Sequence, residues 1–491
     1  MSDNKGRVMG QLEIFADFAL AIAPQAVPQD VLDYSKIVLM DTLVCGLAAA
    51  RLERSRITGC VASRLGGPAE ATVFGLPQRV ASANAAYANA EMMNALDADE
   101  TFFNAAHFAA IVTAAALAES ERVGCSGADL LRGFLAGFEV NARLNLASKL
   151  MEYDGDRFRW SALAGTGADS LGAAVAAGSI GGHTREQMIN AMGLAGWTAP
   201  APKAADMANR DTFNSFKYAP YGCVAQTGIM AAMLAQEGYV GERDVLDKTP
   251  GFFEAQGFMG AYRELLDCGS GKWWILDTAL KPYPSCRFTH AAIDAVLGFQ
   301  QQHGVRVEDI QQIEIRLNPI AYSTWFFRNP AASIVADHRA PLHGAFNIPY
   351  ITALALLGHR RGPDWYAAER LADESVWQLA RRISTLPDEG LAASWREDVL
   401  HSPIHRPRFN RALVSITVGG QRHEIASDFN QGDPWSDATR ADWNWVRSKM
   451  QDFLAGIMPE QQQDRLLSLM MNLETVNNVR NEISPLLEVT A

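Results

Sequence analysis

The chain has 491 residues, 48% hydrophobic and 20% charged, enough apolar material for a large core and two domains. Its net charge of −12, with Lys and Arg spread thinly, lacks the basic stripe that neutralises a phosphate backbone, so nucleic acid is not an expected partner. Six cysteines at positions 45, 60, 125, 223, 268 and 286 form no CxxC pair, which argues against a disulfide framework or a cysteine zinc site and predicts a reducing, cytoplasmic setting.

At the start, MSDNKGRVMGQLEIF has no apolar run of signal-peptide type, and no later stretch reaches the roughly 18 apolar residues of a membrane span. A soluble protein without a membrane partner is expected. From Ile14 to Leu266 the pattern is helical, with Ala-rich segments such as SANAAYANAEMMNAL, FAAIVTAAALAESERV and GADLLRGFLAGFEVNARLNLAS, since Ala favours helix and permits close helix contact. The run ADSLGAAVAAGSIGG predicts a tightly packed inner helix.

After Leu276 the character changes. VEDIQQIEIRLNP and ALVSITVGGQRHEIAS alternate apolar and polar residues, and the second carries a Gly419-Gly420 turn, the signature of a hairpin. GAFNIPYITALALLGH between them is helical, and ATRADWNWVRSKMQDFLAGI with PEQQQDRLLSLMMNLE returns to helix at the end. The prediction is a mainly α protein: a helical domain from residues 1–276 and 431–491, with a smaller α+β domain of residues 277–430 inserted.

Three stretches could carry chemistry. In NALDADETFFNAAHFAAIV, Asp97, Asp99, Glu100, Thr101 and His107 crowd before an Ala-rich helix. Asp97 could orient or charge-stabilise a partner, while His107 near a helix start could serve as a base. The competing reading is that Asp99, Glu100 and Asn104 only cap and solvate helix ends. In DTFNSFKYAPYGCVAQTG, Lys217 lies among Phe213, Phe216, Tyr218 and Tyr221. Desolvation there would make it a proton donor or acceptor near neutral pH, against the alternative of a snorkelling surface lysine.

The third stretch, KPYPSCRFTHAAIDAVLGF, has two prolines that force an extended lead, Ser285 as N-cap, and a helix with Ile293, Val296 and Leu297 on one face. Lys281 and Arg287 beside such a terminus would suit a carboxylate, or be solvated lid-loop cations, and His290 reads as structural. Asp97, Asp99 and His107 have ligand atoms, but no HExxH or Cys/His zinc spacing accompanies them, and no metal is expected. GxGxxG, the P-loop and GxSxG are absent, which removes support for nucleotide and acyl-serine chemistry.

Together these stretches resemble the MmgE/PrpD family, which includes 2-methylcitrate dehydratase, cis-aconitate decarboxylase and iminodisuccinate epimerase. The resemblance runs through MDTLVCGLAAA, NALDADETF with His107, SGADLLRGFLAGFEV, SFKYAPYGCVAQTG, KPYPSCRFTHAAIDA, HRAPLHGAFNIPYITALALL and QGDPWSDATRADW. It implies a helical domain with an inserted α+β lid, a homodimer, and no metal or organic cofactor. The implied reaction is proton transfer beside a carboxylate of a small di- or tricarboxylic acid.

By the same resemblance, Asp97, Thr101, His107, Lys217, Lys281 and Tyr350 sit at positions matching active-site motifs. His107 and Lys217 would be the acid/base pair and Asp97 the orienter of His107. Thr101, Lys281, Arg287 and Tyr350 would contact substrate. Two departures stand out: Trp160, Ser161 and Leu163 lie where relatives carry His-Pro-Thr, and Pro220 stands where a histidine follows the lysine. Losing both polar groups disfavours a highly charged tricarboxylate such as methylcitrate or cis-aconitate. The expectation is a dehydratase-like lyase, with an epimerase or isomerase and a non-catalytic carboxylate-binding paralogue as alternatives.

Overall fold

The computed structural model describes residues 9–103, 106–161, 166–201, 215–216, 219–319, 334 and 336–489. Helices of seven residues or more in the first part are α1 (Gln11–Ala21), α2 (Gln29–Ala49), α3 (Glu53–Leu65), α4 (Ser82–Met93), α5 (Ala109–Val123), α6 (Gly127–Ala147), α7 (Ser170–Ile180), α8 (Arg185–Thr198) and α9 (Tyr221–Gln236). Those of the second part are α10 (His290–His303), α11 (Ile348–Leu356), α12 (Glu374–Ala380), α13 (Glu389–His401), α14 (Trp443–Phe453) and α15 (Glu460–Met471). The protein is mainly α, as its sequence predicts.

The Ala/Gly-rich run forms α7, buried along its whole length between α6 and α9. Small residues allow that approach: a Cβ on Gly228 of α9 would lie 2.4 Å from the Ala173 Cβ, far inside van der Waals contact. Asn141 of α6 clamps the start of α7, donating to the Asp169 carbonyl at 3.0 Å and accepting from Gly172 N–H at 2.9 Å. Besides the two-residue strand at Thr101–Phe102, one described segment within residues 14–266 departs from the helical expectation. Met151–Asp154 (β2) and Arg157–Trp160 (β3) form a hairpin closed by Gly155-Asp156, with Gly155 at φ 61°, because a Gly-first two-residue turn and alternating side chains suit strand pairing better than helix.

Both chain ends meet in the helical body. Lys36 of α2 pairs with Glu474 at 3.1 Å, and Asn478 donates to the Gly124 carbonyl at 3.0 Å. The remaining segment carries a four-stranded sheet of order β6 (Ile383–Pro387), β5 (Ile310–Leu317), β7 (Ala412–Val418) and β8 (Gln421–Ser427). Only β5 and β6 run parallel. The turn from β7 to β8 is Gly419-Gly420 at φ 58° and 77°, the left-handed pair that a two-residue turn between twisted strands requires.

A two-stranded ladder, β1 (Thr101–Phe102) with β4 (Thr278–Ala279), pairs Thr101 with Ala279. It brings two of the chemistry-bearing stretches together, although they lie far apart in sequence. No helix among the described residues is long and apolar enough to cross a membrane.

Candidate active site

Beyond β4 the chain delivers Lys281 to Asp97. The Lys281 Nζ donates to the Asp97 carboxylate Oδ1 and, at 3.0 Å, to the Asp97 carbonyl, with both residues at most 1% exposed. Burial opposes the ammonium charge, but Asp97 and then Asp99 outweigh it and hold Lys281 above its ordinary pKa. Asp97 sits in the left-handed region at φ 54°, an Asp-tolerated but costly conformation. A second buried lysine supports the same turn: Lys449 of α14 donates to the Ala98 carbonyl at 2.7 Å and to Asp41 of α2 at 2.6 Å. Burial pushes the Asp41 carboxyl up to about 6, with Lys449 working against the rise.

His107 reaches the same place through a tight reversal. Phe102 and Ala106 exchange hydrogen bonds at 2.9 and 3.3 Å, and Phe102, Phe103 and Phe108 pack edge to face with Phe138 and Trp274. The half-buried His107 Nδ1 meets the Glu100 carbonyl at 2.5 Å. A carbonyl only accepts, so the Nδ1 carries the proton and the Nε2 is the basic nitrogen of the neutral ring. Glu100 Oε1 accepts from Ala109 N–H at 2.7 Å, the first residue of α5. The capping reading thus holds for this side chain. Thr101 is buried beside it, its hydroxyl without a hydrogen-bond partner among the described residues.

Arg287 is buried against Asp433, with its guanidinium over Trp435 at 5.7 Å. Gly432 makes that approach possible: at φ 90°, a Cβ there would lie 2.1 Å from the Leu280 carbonyl oxygen. The helix after Lys281 starts later than its sequence suggests. A 3₁₀ turn, Arg287–Thr289, precedes α10, and Ser285 Oγ bonds Thr289 Oγ1 at 2.9 Å rather than capping α10. Lys281 therefore meets Asp97 instead of standing at a helix terminus. His290 is buried with Nε2 at 3.1 Å from Ser285 Oγ; burial, then Lys281 and Arg287, keep it neutral, a structural role as expected.

Tyr350 of α11 is fully buried, its hydroxyl donating to the Trp365 carbonyl at 2.6 Å and its ring stacked on Trp377 at 5.0 Å. Lys217 and Leu163 lie outside the described residues, while Trp160 closes the hairpin at β3 and is 39% exposed. Sequence reasoning missed Asp41, Lys449 and Asp433. The available signal for Asp41 was an acid inside the apolar helix run IVLMDTLVCG, which demands a buried partner. Among the described residues no group of three or more His, Cys, Asp and Glu could hold a metal ion.

A mainly helical body and a smaller mixed segment, joined at a buried seam of acids, lysines and a histidine, define the class. The N-terminal domain of the MmgE/PrpD family matches residues 13–259, and its C-terminal domain matches residues 283–475. The chain belongs to the MmgE/PrpD family. It is similar to a cis-aconitate decarboxylase of Aspergillus terreus, 24% identical over 76% of this chain and 77% of the relative. A mouse protein of that name is 28% identical over 83% and 79%, and a human one 31% identical over 54% of each chain.

Proposed function

We propose that this protein is a lyase that moves a proton at the carbon next to a carboxylate of a small carboxylic acid. The observation that carries the reading is the β1–β4 ladder, which joins the stretch holding His107, bonded through Nδ1–H to the Glu100 carbonyl, to the stretch that delivers Lys281 to the buried Asp97. The similarity to proteins named cis-aconitate decarboxylase supports bond cleavage beside a carboxylate over epimerisation. His107 Nε2 exchanges the proton with carbon, and Lys217 is its acid/base partner. In a dehydration the base takes the C–H proton and hydroxide leaves with a proton from the acid. In a decarboxylation carbon dioxide leaves and the electron pair left on carbon takes the proton.

Lys281 and Thr101 hold the substrate in this reading, and orientation of His107 passes from Asp97 to the Glu100 carbonyl. Asp97 secures Lys281. Arg287, engaged by Asp433, and Tyr350, engaged by Trp365, shape the lid side of the site. The substrate is less charged than methylcitrate, because the seam already holds Asp41, Asp97, Asp99, Glu100 and Asp433 against Lys281, Lys449 and Arg287. The reaction is cofactor-free, in a cytoplasmic homodimer that binds neither nucleic acid nor membrane.

The test is deuterium incorporation and product formation by NMR in D₂O with a panel of di- and tricarboxylates. Conversion should fall by about 10² to 10⁴ in kcat for His107→Ala and for Lys217→Ala. A panel acid that binds yet shows neither exchange nor conversion would sink the proposal.

A further inference from the structure

Three of the five buried carboxylates at the seam have a cation each: Asp97 with Lys281, Asp41 with Lys449 and Asp433 with Arg287. Asp99 and Glu100, adjacent in sequence, have none among the described residues. Their bonds come from neutral donors: Asn94 Nδ2 to Asp99 at 2.8 Å and Ala109 N–H to Glu100 at 2.7 Å. The second oxygen of each, Asp99 Oδ1 and Glu100 Oε2, is buried with no hydrogen-bond partner. Two charges side by side away from water, neither with an ion-pair partner of its own, are too costly to coexist, and a proton on one of them removes the conflict.

Glu100 is the one that keeps it. Its carboxyl feels Asp99 and Lys281 at the seam, Asp41 from α2 and Tyr221 from α9, while Lys449 of α14 bonds the nearby Ala98 carbonyl and the His107 ring bonds the backbone carbonyl of Glu100 itself. Burial first, then Asp99, raise its pKa well above the carboxylate range, while the Ala109 N–H and Lys281 only partly offset them. Tyr221, raised by burial and then by Asp99 and Glu100, stays neutral.

We propose that Glu100 is a positioning residue that works as a neutral carboxylic acid, allowing the seam beside His107 and Lys281 to admit an anionic substrate. This rests on the carboxylate-lyase reading above. The residue grips the His107 loop twice, by its carbonyl on the imidazole and by its carboxyl on the first N–H of α5. Ionisation would leave that grip intact and set a negative charge without an ion-pair partner of its own next to the Asp99 side chain. Its consequence would fall on substrate affinity.

Full-length wild type, Glu100→Gln and Glu100→Ala are the comparison, with cis-aconitate and the smaller dianion maleate as probes. Without ligand at neutral pH, the infrared difference between wild type and Glu100→Gln should contain the C=O stretch of a protonated carboxyl. Calorimetry should show wild-type affinity for the probes falling about tenfold or more as alkaline pH ionises the group, while Glu100→Gln holds within about twofold. Glu100→Ala should lose kcat, and Glu100→Gln should restore it.

A missing carboxyl band, an alkaline loss that persists in Glu100→Gln, or a Gln variant as impaired as Ala would overturn the proposal. Binding of neither probe with the band present would overturn the carboxylate reading and the anion-admitting role, leaving the protonation itself established.

Discussion

Two gatherings of titratable side chains among the described residues are built in opposite ways. Between α10 and β8 lies a hollow of about 680 Å³ lined by His303, His423 and Glu424 among others, with Phe299 packed on the two imidazoles at 4.5 and 5.1 Å. His303 and Glu424 are exposed and His423 is half-buried, so water screens what charge they carry. At the seam, Lys281, Asp97, Asp99, Glu100 and Asp433 are all buried. Burial lifts the Glu100 carboxyl there, as it lifts Asp294 to about 6 on the buried wall of the hollow, whereas the exposed His303 and Glu424 have no such desolvation. Room alone is a poor guide to chemistry.

The strongest way to break this contrast is Lys281→Met, which keeps the length of the side chain and removes its charge. Asp97 would be left buried, in a left-handed backbone conformation, without its ammonium partner. The expected loss is about 3–5 kcal/mol of stability together with activity, read by urea unfolding and turnover. Adding Asp97→Asn to Lys281→Met should recover part of the stability and none of the activity. A Lys281→Met protein within about 1 kcal/mol of wild type would place the pair among ordinary surface ion pairs.

The residues of the seam were more legible in the sequence than its geometry. NALDADETF and KPYPSCRFTH advertise themselves because charged and hydroxyl groups crowd between apolar helices. What joins them is a ladder of two residues per strand, too short to leave an alternation pattern. Lys449 and Asp41 are 408 positions apart, and the acid in an apolar run signals a need for a partner without saying which residue supplies it. Gly419-Gly420 could be placed in advance because its backbone geometry is demanded by the turn itself. For Tyr350, resemblance suggests a substrate contact, and the bond its hydroxyl makes to the Trp365 carbonyl is a partner invisible to local pattern.

A smaller effect separates burial from pairing within the helical body. Asp169, at the start of α7, is buried with Asn145 Nδ2 at 2.7 Å from its Oδ1, and burial lifts its pKa from 3.8 to about 8, with Asn145 opposing the rise. Between those values the native state binds more protons than the unfolded chain, so stability declines as pH rises from about 3.8 towards 8. Asp41, raised to about 6, acts in a lower window. Melting temperature between pH 7 and 9 should therefore fall less steeply in Asp169→Asn than in wild type. Glu100 contributes a slope of its own, so the decline is reduced rather than abolished. Equal slopes in the two proteins would show that Asp169 does not hold its proton.

The smallest effect belongs to the hollow. His423→Ala removes a half-buried ring that packs at 5.1 Å on Phe299 and at 6.0 Å from His303, and no ion pair or buried charge depends on it among the described residues. Its cost should be confined to aromatic packing, about 0.5–1.5 kcal/mol, with the pH dependence of stability and the turnover of panel acids unchanged. That outcome is informative because His107→Ala removes the same chemical group from a half-buried position. Half-burial of both rings with unequal effect on kcat would trace the difference to what surrounds each: at His107, a tautomer fixed by the Glu100 carbonyl; at His423, a second imidazole and water. A tenfold loss of turnover in His423→Ala would overturn the contrast, since the open hollow between α10 and β8 would then bear on the reaction.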